Sequence, residues 1–538
     1  MNKSKLLFCA LSALFLCSAP VKAQIDKDAC TSILVGKKAS ADGSTMTSHT
    51  CDSWYRTWMD VIPAKDYPND TVVSVVKGRM HTEYPSDRDG VTETGKIPQA
   101  RHTYRFLDTA YPCLNEKQLA IGETTYGGRD TLVNKNGIFM IEELARIALE
   151  RCTTARDAIK LMGQLVKEYG YGDGGECLTI IDPKEAWIFE IQGAGPDEIG
   201  AVWAAVRIPE DHVAVSANVS RIGRIDFKDK ENYMWSDNVR DVARKLGLWD
   251  GKEEFSFWKA YSGGNYYNEP KNYSVRELYI MQQLAPGAGF NNAMSELPVS
   301  FKPEEKLTLG RVAQLLGSYY EGTEYCLADR LKVKNPKKKA DDPKTADLPD
   351  SIVSPVANPW MQSDEIAMYE ALSGDSTWKN IRTVSVPWSS YTTVIQCRDW
   401  LPDAVGGVAW VGLDNPGQSP KFPIFAGTTE LPDMLKICGQ HRTRDDAALW
   451  HFRKANKLAT VRWGTFRNQL EPARDHFIQK GQLELPVIEA EYQRLVEAGL
   501  QDEATSLLNN YTADFFGATV ARWDNLADRF WRERWKGF

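Results

Sequence analysis

The residues Cys30-Thr31-Ser32-Ile33-Leu34-Val35-Gly36-Lys37-Lys38-Ala39-Ser40-Ala41-Asp42-Gly43-Ser44-Thr45-Met46-Thr47-Ser48-His49 contain two β-rich runs separated by a turn. The first run, 30–36, ends at Lys37 and Lys38. Ala41-Asp42-Gly43 supplies turn chemistry, and the second run is 44–49. Two such runs joined through Asp-Gly read as a β-hairpin. Cys30 opens the first strand and the acidic Asp52 follows the second.

Upstream of the hairpin the chain reads as an export leader. Lys3 and Lys5 give a positive start, residues 6–19 are an apolar run too short to span a bilayer, and Val21-Lys22-Ala23 fits a small-x-small cleavage site. The expected organisation is a signal peptide at 1–23 and a short propeptide at 24–29, giving a periplasmic or extracellular protein. Lipoprotein anchoring at Cys17 is disfavoured, because the bulky Leu16 stands where a small residue is wanted. Later segments contain no run of about 20 apolar residues, so stable membrane insertion is not expected.

Downstream, strand-like runs recur at 71–77, 118–125, 177–181, 186–191 and 212–217, and in a β-rich part at 381–397 and 406–412. Apolar residues at helical spacing predict helices over 141–149 and 155–169, the latter capped by Thr153 or Thr154, and near 236–246, 274–284 and 308–318. The charged, proline-containing stretch 334–350 reads as an exposed loop or arm. The tail, 443–538, is largely helical, with Trp450, Trp463, Trp523 and Trp531 spaced for packing. Strands and helices intermix without regular βαβ units, which favours an α+β fold with antiparallel sheets.

Composition narrows the function classes. The 538 residues carry a net charge of −7, which argues against a nucleic-acid partner, since phosphate binding needs clustered Lys and Arg. There is no HExxH, the seven His are scattered, and no P-loop or GxSxG elbow occurs, so neither metal nor cofactor is expected. Gly170-Tyr171-Gly172-Asp173-Gly174-Gly175 matches a dinucleotide loop in letters only; it follows a helix and precedes a strand, the reverse order, and reads as a turn. Beyond the leader eight cysteines remain at irregular spacing without CxxC, and their pairing is open. Whether the chain forms a homo-oligomer is open too.

The segment from Cys30 to Ser44 resembles the start of the dipeptidase A family of cysteine-type N-terminal nucleophile (Ntn) hydrolases. Ala120-Ile121-Gly122-Glu123-Thr124-Thr125, Gly174-Gly175-Glu176, Glu185-Ala186-Trp187, Tyr320-Glu321-Gly322-Thr323 and the stretch 402–410 are similar as well. The resemblance implies a four-layer αββα sandwich over 30–442, with 443–538 as a helical extension packed on it. It implies that Cys30 becomes the N-terminus, so that one residue carries both the thiol that attacks and the amine that acts as base. While Ala29 remains attached that base is an amide, and the leader acts as a latch. Asp52 matches the acidic position of the second strand; His49 departs from the arginine three residues before it. Asn218 resembles the oxyanion donor of related acylases. Glu123 and Thr124 end a strand where they could line a pocket, with Glu123 reading a substrate ammonium. Arg221 is suited to a substrate carboxylate.

The expected function is therefore an exported cysteine dipeptidase acting on small peptides. The alternatives are an Ntn acylase cutting N-acyl amides or conjugated bile acids, a hydrolase using a carboxylate pair, and a non-enzymatic exported binding protein.

Overall fold

The structure is a computed structural model that describes residues 29–264, 269–339, 341–378 and 381–534. The leader, Cys17 and residues 24–28 lie outside them. The opening hairpin forms as the sequence predicts. Strand β1 (Ala29–Val35) pairs antiparallel with β2 (Thr45–Asp52), placing Cys30 opposite Cys51 and Ala29 opposite Asp52. Gly43 supplies the left-handed turn position at φ 86°.

Four further strands run as a meander: β3 (Ala120–Gly127), β4 (Gly175–Ile181), β5 (Ala186–Gly193) and β6 (Ala201–Ile208). They are followed by β7 (Val213–Ser216) and, much later, β8 (Tyr391–Cys397), β9 (Val408–Leu413) and β10 (Phe422–Phe425). One sheet has the order Ser300–Phe301, β7, β1, β2, β8, β9, β10; the other runs from Tyr233–Trp235 through β6, β5, β4 and β3 to three short strands ending at Asp60–Ile62. Every neighbouring pair in the two sheets is antiparallel.

The sheets pack face to face, with β1 and β2 against β3 and β4. Helix α2 (Ala155–Tyr169), beside α1 (Ile141–Arg151), covers β5 and β6. Helices α3 (Val275–Leu284) and α4 (Leu309–Leu316) cover β7, β1 and β8. Strand alternation divides the work. Ile33, Val35, Met46 and Val215 point toward Leu278, Leu309, Val312 and Leu316 in an apolar core.

Between the sheets the side chains are small and hydroxylated. Ser32 Oγ and Thr47 Oγ1 each lie 2.7 Å from Thr179 Oγ1 of the opposite sheet, Thr45 Oγ1 donates to the Asp182 carbonyl at 2.7 Å, and Thr124 Oγ1 meets Ser216 Oγ at 2.6 Å. Ser32, Thr45 and Thr47 are therefore hydroxylated where the two sheets touch. At Gly122 a Cβ would stand 2.4 Å from the Ser48 carbonyl oxygen, so no side chain fits.

The C-terminal part folds as three helices, α5 (Ala448–Thr460), α6 (Trp463–Glu497) and α7 (Gln501–Arg534), packed on one another and on β10. Buried Trp523 ties them together, donating from Nε1 to Asn456 Oδ1 at 3.0 Å. Lys332–Lys334 pairs with Ser351–Val353 in a small ribbon, and most of the described residues between them are exposed. The eight cysteines among the described residues are all buried free thiols. Gly170, at φ 79°, ends α2 and begins the turn into β4.

The close approach at Gly122 makes a direct prediction. Gly122→Ala must push the sheets apart, so urea unfolding should show a loss of about 1–3 kcal/mol. An unchanged midpoint would contradict this account of the sheet contact.

Candidate active site

Cys30 is the second residue of β1 and fully buried. Its backbone N–H donates to Asn218 Oδ1 at 2.8 Å. Asn218 lies two residues beyond β7, the neighbour of β1, in the left-handed region at φ 61°, a conformation asparagine tolerates better than most residues. Arg276, in the first turn of α3, donates to the Cys30 carbonyl at 2.7 Å and to Asn218 Oδ1 at 2.9 Å. Helix α3 is itself fixed by a Ser274–Glu277 capping box, and Glu277 also accepts the Ala217 N–H at 2.8 Å. Asn218 Nδ2 donates to the Thr125 carbonyl, so its Oδ1 is the atom facing Cys30.

The other sheet supplies the acid. Cys30 Sγ donates to Glu123 Oε2 at 3.6 Å, and His49 Nε2 lies 3.4 Å from the same oxygen. Tyr111 and Tyr391 pack edge-on against the His49 ring, with centroids at 5.2 and 5.8 Å. Burial, then the charges of Glu123, Cys51 and Asp52, push the Cys30 thiol well above its ordinary range. The sulfur is therefore held as a thiol.

Asp52 meets the sulfur through its backbone N–H, which offsets part of the rise in the thiol, while its carboxylate is engaged elsewhere. It is ion-paired with Arg382 and accepts from Thr50 Oγ1 at 2.8 Å and from Ser389. Arg382 Nη2 also donates to the Ala29 carbonyl at 3.2 Å, the carbonyl of the bond that joins Ala29 to Cys30. A guanidinium thus reaches Asp52 from a distant segment although position 49 is a histidine.

The remaining expected residues separate. Thr124 is used in the sheet-to-sheet contact with Ser216. Arg221 is buried and donates to the carbonyls of Val215, Asn272 and Pro298; these contacts account for Nε, Nη1 and Nη2, and Arg276 is the cation at Cys30 instead.

A cavity of about 480 Å³ opens beside this centre, with Tyr111, Thr125, Glu142, Asp173 and Glu176 among its walls and Lys77 and His81 on the rim. Thr125 Oγ1 donates to Glu123 Oε1 at 3.2 Å, which connects cavity and centre. Burial and Asp173 raise the Glu142 carboxyl well above the usual range; burial, Glu123 and Asp173 do the same to Glu176. Glu190, below the site, is pushed up to about 7, chiefly by burial, although it accepts hydrogen bonds from Ser220 and the N–H groups of Arg221 and Ile222.

Sequence reasoning missed Arg276, Arg382, Glu142 and Asp173 as site residues. Arg276 and Arg382 carry no local motif, since they act across more than 240 residues of chain. The signal for Glu142 was present: an acidic residue in the first turn of α1, two residues after Met140 of the same cavity wall.

Cys30, His49 and Glu123 each offer one metal-ligating atom, and the three atoms lie within 4.8 Å of one another. Among the described residues no helix is long and apolar enough to cross a membrane.

A buried cysteine with a carboxylate at its sulfur and guanidinium groups at the flanking carbonyls is the equipment of a hydrolase. The model of peptidase family C69 matches residues 29–476, and the chain belongs to that family. Relatives include a "Probable dipeptidase" of Latilactobacillus sakei, 26% identical over 82% of this chain and 84% of its own, and one of Salmonella dublin, 27% identical over 74% and 81%. A "Probable dipeptidase A" of Streptococcus pyogenes serotype M18 is 23% identical over 89% and 92%.

The raised carboxyls fix the sign of a pH effect. Glu142, Glu176 and Glu190 bind protons more tightly folded than unfolded, where a Glu titrates near ~4.3. Their contribution is fully present below that pH and lost as pH rises through the folded values. Stability should fall from about pH 5 up to the Glu190 value of about 7, by up to roughly 1.4 kcal/mol per pH unit for that group, with Glu142 and Glu176 adding in the same direction. Urea midpoints across this range check it. Glu176→Gln should flatten the profile, and an unchanged slope would contradict the assignment.

Proposed function

We propose that the chain is an exported cysteine dipeptidase that hydrolyses dipeptides through a thioester on Cys30, after the Ala29–Cys30 bond has been cut. On this reading the paired sheets with their outer helices are the αββα sandwich of Ntn hydrolases, over 30–442, and 443–538 is an extension packed on it. The observation that carries the proposal is the double engagement of Cys30: its nitrogen on Asn218 at 2.8 Å and its sulfur on Glu123 at 3.6 Å. Both atoms that an N-terminal nucleophile uses are held separately.

Processing follows from the same contacts. The thiol proton passes to Glu123, and the sulfur attacks the Ala29 carbonyl carbon. The oxyanion forms where Arg382 already donates. The C–N bond breaks as the Cys30 nitrogen takes up a proton, leaving the leader as a thioester that water hydrolyses. The freed amine remains at Asn218 Oδ1, oriented by Arg276.

In the mature enzyme that amine accepts the thiol proton, and the sulfur attacks the substrate amide. The leaving amine departs with a proton, and water releases the acid from the thioester. The nearby cavity is of a size for a short peptide. Its acidic wall of Glu142, Asp173 and Glu176, with Glu123 behind, suits a free ammonium. The names of the relatives point to the same substrates.

Cys30→Ala should leave an uncut, folded and inactive precursor, and a leaderless Ala variant should be inactive too; Cys30→Ser should keep weak activity at most. Wild-type rates from the leaderless Ala variant would refute the mechanism. N-acetylation of a dipeptide should lower kcat/KM by on the order of 100-fold, since it leaves a buried acidic wall unpaired. Faster cleavage of acetylated or N-acyl substrates would move the enzyme to the acylase class.

A further inference from the structure

We propose that Cys30, His49 and Glu123 form a zinc-binding triad that holds the nucleophile in a reversibly inhibited state. Inhibition rests on Cys30 being the working nucleophile, as proposed above; the binding itself does not.

The donor set is a thiolate, an imidazole and a carboxylate, a combination that suits Zn²⁺ and not the all-oxygen preference of Mg²⁺ or Ca²⁺. The spacing agrees. With Zn–S near ~2.3 Å and Zn–N and Zn–O near ~2.1 Å, a tetrahedral ion separates S and O by about 3.6 Å and N and O by about 3.4 Å. Cys30 Sγ lies 3.6 Å and His49 Nε2 3.4 Å from Glu123 Oε2. A second, independent observation is His49 Nε2 itself, buried without a hydrogen-bond partner and directed at this cluster. A buried ring nitrogen with no partner is costly unless something binds it. An arginine at position 49, as the family resemblance implies, could not act as a ligand; the histidine makes the triad.

The acidic cavity adjoins the triad: Thr125 of its wall donates from Oγ1 to Glu123 Oε1 at 3.2 Å. The Cys30 thiol releases its proton to solvent, sulfur binds the ion, and the neutral imidazole and the carboxylate complete three positions, with water in the fourth. No redox step is involved. A sulfur bound this way cannot attack a carbonyl.

The test uses the mature, chelator-washed chain and ZnCl₂ alone. Calorimetry should find one zinc per chain, and zinc should slow alkylation of Cys30, read by peptide mass. EDTA should reverse any loss of peptidase activity. His49→Ala and Cys30→Ser should each weaken zinc binding about 100-fold or more. Unchanged zinc affinity in a folded His49→Ala chain would overturn the proposal. Should that variant fail to fold, the wild type decides: alkylation of Cys30 at the same rate with and without zinc refutes it. If the chain cleaves no dipeptide, calorimetry and alkylation still decide whether zinc binds at Cys30, so zinc binding and peptidase activity fail separately.

Discussion

The contact on which the structure depends is the one between the two sheets at Gly122. Cys30 belongs to one sheet and Glu123 to the other, and sulfur and carboxylate meet at 3.6 Å beside strands that touch through hydroxyls. Gly122, immediately before Glu123, has no room for a Cβ against the Ser48 carbonyl oxygen. The hydroxyls of Ser32, Thr47 and Thr179 satisfy one another across the gap. A wider, purely apolar interior would bury more hydrocarbon, but it would set the reacting groups apart.

Burial then sets the chemistry. The Cys30 thiol is pushed up by desolvation and by neighbouring negative groups. The positive charge needed nearby comes from Arg276 and Arg382, each tied to a carbonyl flanking the Cys30 nitrogen: the Cys30 carbonyl on one side, the Ala29 carbonyl on the other. The Asp52 carboxylate fixes Arg382, while its backbone N–H faces the sulfur. Labour is thus divided: Asn218 and Arg276 hold the nitrogen, Glu123 faces the sulfur, and Arg382 faces the Ala29 carbonyl.

Much of this was legible in the sequence. The hairpin from Cys30 to Asp52, the strand carrying Glu123 and the meander through β4 and β5 follow from alternation and turn residues, and the long helical tail from its apolar spacing. Strand β6, rich in alanine, and the short β10 gave too little β signal to be read. Helix α6 continues through Pro472 and Pro486, which local rules would treat as breaks. Of the residues singled out by local argument, the structure brings Cys30, His49, Asp52 and Glu123 together. The part assembled from afar was not legible: Arg276 and Arg382 look like ordinary surface charges in the sequence, and Arg221, the arginine with a local argument, is occupied by backbone carbonyls. Long-range pairing is a property of the fold, and no spacing rule reports it.

The central claim is that Cys30 works as a free N-terminal residue. The most direct measurement is mass spectrometry of fully active protein quenched during turnover of a dipeptide. The account predicts an N-terminal peptide that begins at Cys30 and carries the substrate's acyl group on its sulfur. Full activity from a chain whose N-terminus is Gln24, with no acyl group on Cys30, would contradict it.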